Sequence, residues 1–209
     1  MARLPPSYDD NVFLNCPFTE DYRDLFLALV FTVADCGFVA RSALEKSDSS
    51  ETRIDKLYRI IGECRYGIHD ISMTELDPKN NLPRFNMPLE LGIFLGARRF
   101  GSPAQRNKAC LILDREKHRY QTFCSDLSGQ DPMSHRGASA DVVKCVRDWL
   151  RGERPGVRLP GSERTRERFK KFKDTDMTII CDGWDLDPDE LVFNDLATVI
   201  QEWLRRNPL

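Results

Sequence analysis

Four short apolar runs, spaced so that helical segments fall between them, constrain this chain more than any other feature. Residues 12–14 (VFL), 38–44 (FVARSAL), 67–72 (GIHDIS) and 109–113 (ACLIL) each read as a strand. Between them the apolar period changes. Leu25, Phe26, Leu29, Val30 and Val33 fall at helical spacing over 22–35, and Ile54, Leu57, Tyr58 and Ile61 do so over 52–64. Gly37 stops the first helix, and the loop 47–51 is expected to supply an N-cap for the second. Short apolar strands alternating with helices belong to a parallel sheet covered on both faces. The expected fold is α/β: a doubly wound, mainly parallel sheet of four to five strands with a C-terminal helical extension.

The flanking segments set the domain plan. Residues 1–10 read as a frayed, Pro-containing lead-in, and Asp77, Pro78, Asn80 and Pro83 mark a polar loop. The stretch 115–137 is long and polar, 139–151 is an amphipathic helix carrying Val142, Val143, Val146 and Trp149, and 153–161 is a Pro/Gly-rich linker. Beyond it, Phe169, Phe172, Met177, Ile180 and Trp184, then Leu191, Phe193, Leu196, Val199, Ile200, Trp203 and Leu204, mark two or three helices. An α/β domain over 1–152 with a helical extension packed on it over 153–209 follows.

One helix needs separate argument. In LPRFNMPLELGIFLGARR (82–99), every position from Met87 to Ala97 is apolar or Gly except Pro88 and Glu90. Such a helix is expected to be buried. Glu90 is then a lone carboxylate that a partner, a helix terminus or a water-filled cleft must compensate. With Met87 as N-cap, Glu90 would be the third helical residue, where Glu caps backbone N–H groups and the helix dipole holds it ionised.

Several function classes lose support. Lys and Arg number 31 against 33 Asp and Glu, too even a balance for a phosphate-backbone binder, so no nucleic-acid partner is expected. No apolar run suits a membrane span, and the first residues lack a signal-peptide pattern, so a cytoplasmic location is expected. The seven cysteines, without CxxC pairs, read as reduced core residues, and the three dispersed histidines give no metal site. GxGxxG, GxxxxGK[ST] and GxSxG are all absent, which removes the usual supports for hydride transfer, phosphoryl transfer and α/β-hydrolase chemistry.

In open parallel sheets ligands bind outside the carboxyl ends of the strands. That rule nominates Asn15, Pro17 and Phe18 at the end of the first strand, Arg41 at the end of the second, Asp70 and Ser72 at the end of the third, and Asn86 and Glu90 at the next helix, with Arg84 just before it. Arg41 and Arg53 would meet a phosphate or else pair with Glu45 and Glu51. Asp126 and Asp131, in the loop SDLSGQDPMSH, would reach the substrate or belong to a plain connection, while His135 reads as an ordinary loop residue. Carboxylates facing an amide, an arginine and an aromatic suit cleavage of a glycosidic or N-glycosidic bond, whose transition state carries positive charge on the sugar.

VFLNCPF at the first strand, HDIS at the third and MPLELGIFLGA at the following helix resemble the bacterial TIR-like and nucleoside 2-deoxyribosyltransferase-like families. The resemblance spans about 12–113. It implies a flavodoxin/TIR-like fold, cleavage of the N-glycosidic bond of NAD or a related nucleotide or nucleoside, Glu90 as the catalytic carboxylate and Asp70 as the acid that holds the sugar. Arg84 and Asn86 stand where a deoxyribosyltransferase carries a second acid. The resemblance further implies a homo-oligomer, no cofactor beyond the nucleotide substrate, and a place in antiphage defence or stress signalling. A nucleotide sensor without turnover and a TIR-type self-association module are the alternatives.

Overall fold

A computed structural model of the chain describes residues 7–45, 48–76 and 81–209. The expected lead-in over 1–6, Ser47 of the capping loop, and Asp77, Pro78 and Asn80 lie outside the described residues. The strands are β1 (Asn11–Asn15), β2 (Val39–Ser42), β3 (Tyr66–Asp70), β4 (Ala109–Asp114) and a two-residue β5 (Met133–Ser134). All pairings are parallel, in the order β2-β1-β3-β4-β5. The helices are α1 (Arg23–Asp35), α2 (Arg53–Gly62), α3 (Asn86–Phe100), the short α4 (Pro103–Arg106), α5 (Ser139–Glu153), α6 (Ser162–Lys171), α7 (Met177–Asp182) and α8 (Phe193–Arg206). Thr52, one residue beyond the expected loop, caps α2 by accepting from the Asp55 amide. Residues 8–10 form a 3-10 turn, and the Tyr8 hydroxyl donates to the Ala104 carbonyl at 3.0 Å, so this part of the lead-in is docked.

Strand side chains alternate between two cores because the period of a strand is two. Val12, Leu14, Ile68, Leu111 and Leu113 join α1 and α5 on one face. Phe13 joins Leu57, Ile60, Ile61 and Phe94 of α2 and α3 on the other. Gly67 permits close packing here: a Cβ in its place would lie 2.6 Å from His69 Nε2 and 2.8 Å from the Phe94 ring.

The helix enclosed on all sides is α1, not α3. Residues 27–33 of α1 are all buried, since the sheet covers one side and the C-terminal helices the other. Phe31 meets Phe172, Phe169 and Trp203 at ring-centroid distances of 5.2, 5.5 and 5.3 Å. At its end, the buried Asp35 pairs with Arg168 at 2.8 Å, and burial raises its carboxyl despite that guanidinium. A π-helical turn over Phe172–Asp176 joins α6 to α7 and seats Phe172 in this cluster.

In α3, by contrast, only Glu90, Leu91 and Phe94 are buried, and the expectation of an all-round buried helix is corrected. Phe85, Leu89 and Phe100 are 67%, 56% and 84% exposed, because nothing among the described residues forms a second layer there. Among the described residues no helix is long and apolar enough to cross a membrane.

Replacing Phe31 by Ala should cost about 3–5 kcal/mol of stability, the range for losing a buried Phe. Urea unfolding followed by circular dichroism measures this. A loss below about 1 kcal/mol would show that the C-terminal helices do not depend on this contact.

Candidate functional site

The strand order reverses direction between β1 and β3, which places the crevice of a doubly wound sheet above their carboxyl ends. A cavity of about 940 Å³ opens there. Of the residues nominated from sequence, Pro17, Phe18, Ser72, Arg84 and Asn86 line it. Phe18 is half-exposed and packs edge-on against Phe26, with centroids 5.6 Å apart.

Asn15 lies behind this wall. Its Nδ2 donates to the Met87 carbonyl at 2.8 Å and approaches His69 Nδ1 at 3.0 Å, tying β1 to the first turn of α3. His69 is wholly buried, and burial, with Lys108 nearby, pushes its pKa down to about 3, so the ring is neutral and accepts at Nδ1.

Asp70 sits under the cavity floor, with no exposed surface. The Tyr22 hydroxyl donates to Oδ2, the Ser72 amide donates to Oδ1 at 2.8 Å, and His135 Nε2 lies 3.1 Å from Oδ2 in a misaligned contact. Burial pushes the carboxyl up, but His135 and the Ser72 and Tyr22 hydrogen bonds outweigh it and hold Asp70 below the usual carboxylate range. Both oxygens are therefore engaged within the protein. The side chains that reach the cavity from this cluster are Tyr22, Ser72 and His135.

Glu90 is the fifth residue of α3, since the helix begins at Asn86 and not after Met87. It shares a face with Asn86, one turn earlier, and is 5% exposed. Among the described residues its carboxylate makes no hydrogen bond or ion pair, and Arg53, on the cavity wall, is the cation that acts on it. Burial outweighs that cation and raises the Glu90 pKa to about 7. The expected ionisation by the helix dipole is thus corrected: Glu90 is too deep in the helix to cap it, and desolvation prevails. Cys16 lies close to both acids, and burial, then Asp70, then Glu90, push its thiol well up, so it is an inert neighbour.

Six nominated residues do not line the cavity: Asn15, Asp70 and Glu90 lie behind its wall or floor, and Arg41, Asp126 and Asp131 lie away from it. Arg41 donates to Glu45 at 2.8 and 2.7 Å and to Glu63 at 2.8 Å, which realises the ion-pair alternative with Glu45. Asp126 and Asp131 are exposed and do not line it. Tyr22 and His135 were not nominated. The strand-end rule would have reached His135 had the two-residue β5 been legible, and Tyr22 has a polar tip just before an otherwise apolar helix. Among the described residues, no cluster of His, Cys, Asp and Glu could hold a metal ion. No protein-family model, curated protein or solved structure matches this chain.

The raised Glu90 has a thermodynamic sign. Its folded-state pKa lies above the ordinary glutamate value of 4.5, so stability contributed by the protonated form is lost as pH rises from there through about 7. Glu90→Gln should therefore be more stable than the parent at pH 8, by on the order of 2 kcal/mol after discounting for screening, and indistinguishable at pH 4. Thermal unfolding across this range tests it. Equal stability at pH 8 would mean that Glu90 is solvated.

Proposed function

We propose that this protein cleaves the N-glycosidic bond of NAD or a related nucleotide, with Glu90 as the catalytic carboxylate. The observation that carries the reading is a buried carboxylate, without a hydrogen bond or ion pair among the described residues, one helical turn behind Asn86, which lines the cleft at the switch point of the sheet. In the reaction the C1′–N bond breaks and its electron pair leaves with the base. Ionised Glu90 stabilises or traps the ribosyl cation, and water supplies a hydroxyl to C1′; its proton goes to solvent when nicotinamide leaves neutral from NAD, and to the base when an uncharged base is cleaved. The sugar hydroxyls would meet Ser72 and Asn86, and Arg53 would meet phosphate. Asp70 would act from behind, as a positioning residue that holds Tyr22 and His135. The resemblance of the strand-end motifs to nucleotide glycosidases supports the same reading, and a role in antiphage defence or stress signalling goes with it.

Because the ionised carboxylate does the work, the rate should rise with pH through about 7, the reverse of what a general acid at this position would give. Free base released from NAD and a nucleoside panel, followed by chromatography, measures it. Glu90→Gln should lower release by about 10³-fold or more, a loss of the size usual for removing a catalytic side chain. Release unchanged in the variant would sink the mechanism. Ligand binding without release in either protein would make the cleft a sensor.

A second reading, assembly of identical copies, rests on α3. Phe85, Leu89, Gly92, Gly96 and Phe100 share its outer face, and both glycines face open space. Leu89→Asp should convert an oligomer to monomers in sedimentation velocity. A parent that is already monomeric would end this reading.

A further inference from the structure

The cleft does not end at its own wall. A second groove, of about 1060 Å³, adjoins it and shares Asp21, Leu25 and Gly137 with it. The groove runs between the first turns of α1 and α5 and the C-terminal helices, and Leu27, Met177, Leu191, Phe193 and Leu196 give it an apolar lining.

The two spaces differ in charge. Around the cleft stand Arg53, Arg84, Arg115 and Arg136 against Asp21 and Glu75. Arg115 pairs with Glu75 and Arg136 with Asp141, while Arg53 has no hydrogen bond or ion pair among the described residues. Around the groove stand Glu20, Asp21, Asp24 and Asp189, and its two cations are engaged: Arg23 with Asp189 at 3.1 Å, Lys173 with Asp24. An anion is attracted to the first space and repelled from the second, where Leu27, Met177, Leu191, Phe193 and Leu196 offer contact to apolar surface.

From this continuity and contrast we infer that the ligand has two parts: a phosphate-bearing nucleoside in the cleft, and an uncharged apolar arm, esterified to that phosphate, in the groove. The inference rests on the reading of the cleft as a nucleotide site and adds the class of substituent. It also gives the C-terminal helices a function, because Leu191, Val192, Phe193 and Leu196 supply one wall of the groove. A mononucleotide would leave that wall empty.

Isothermal titration of the full chain with adenosine monophosphate and with its benzyl phosphoester tests the idea. The ester should bind roughly tenfold or more tightly, as a small apolar group in an apolar pocket does. Leu44 and Val192 line only the groove and are 43% and 61% exposed, so Leu44→Asp and Val192→Asp should fold normally. Both variants should abolish the ester's advantage and leave the affinity for adenosine monophosphate unchanged. Equal affinities for the two ligands in the parent, an advantage that survives both substitutions, or no binding of either ligand would overturn the inference. Base release without preference for the ester would sink the two-part ligand and leave the activity standing. Preferential ester binding without base release from any nucleotide would do the reverse.

Discussion

The structure depends on the enclosure of α1. A helix that is apolar on every side is unstable at a surface, so the sheet alone is not enough to fold this sequence; a second layer must cover α1 from outside. Phe169, Phe172 and Trp203 provide it, and the Asp35–Arg168 pair marks its polar end. This dependence reaches the cleft. Tyr22 immediately precedes α1, and its hydroxyl holds Asp70 from one side while His135 approaches from the other. The helices furthest along the chain therefore steady the floor of a cavity formed by its earliest strands.

The two acids nearest that floor have opposite environments. Asp70 has hydrogen bonds on both oxygens and stays ionised; Glu90 has none among the described residues and holds its proton more tightly. Pairs of carboxyls driven apart in this way divide labour, one supporting and one available for reaction. Burial of Glu90 without a partner costs free energy, a pattern typical of sites where function outweighs stability.

Strands β1 to β4 and helices α1, α2, α3 and α5 were legible because their apolar spacing is strong and local. The short β5 was not, since two residues carry no period, and His135 went unnominated with it. The partial burial of α3 is illegible for another reason. Periodicity describes one helix, whereas burial depends on what lies above it, and α1 rather than α3 received the extra layer. At the site, the strand-end rule found Pro17, Phe18, Ser72 and Asn86. It also proposed Arg41, whose side chain runs to Glu45 and Glu63. Strand position alone does not give side-chain direction, and the ionisation of Glu90 depends on desolvation that no spacing encodes.

The partnership of α1 with α8 joins residues 23–35 to residues 193–206. At the usual pace of synthesis, roughly 10–30 s separate the emergence of these two segments from the ribosome. For most of that interval, until Phe169 and Phe172 emerge, the outer face of α1, with Phe31 at its centre, has no cover of its own, and Trp203 completes the cover last. Contacts of such long sequence separation also form slowly once both segments are available. The nascent chain thus carries an apolar helix that waits for its cover, and aggregation of an incomplete chain would begin at α1 rather than at the sheet.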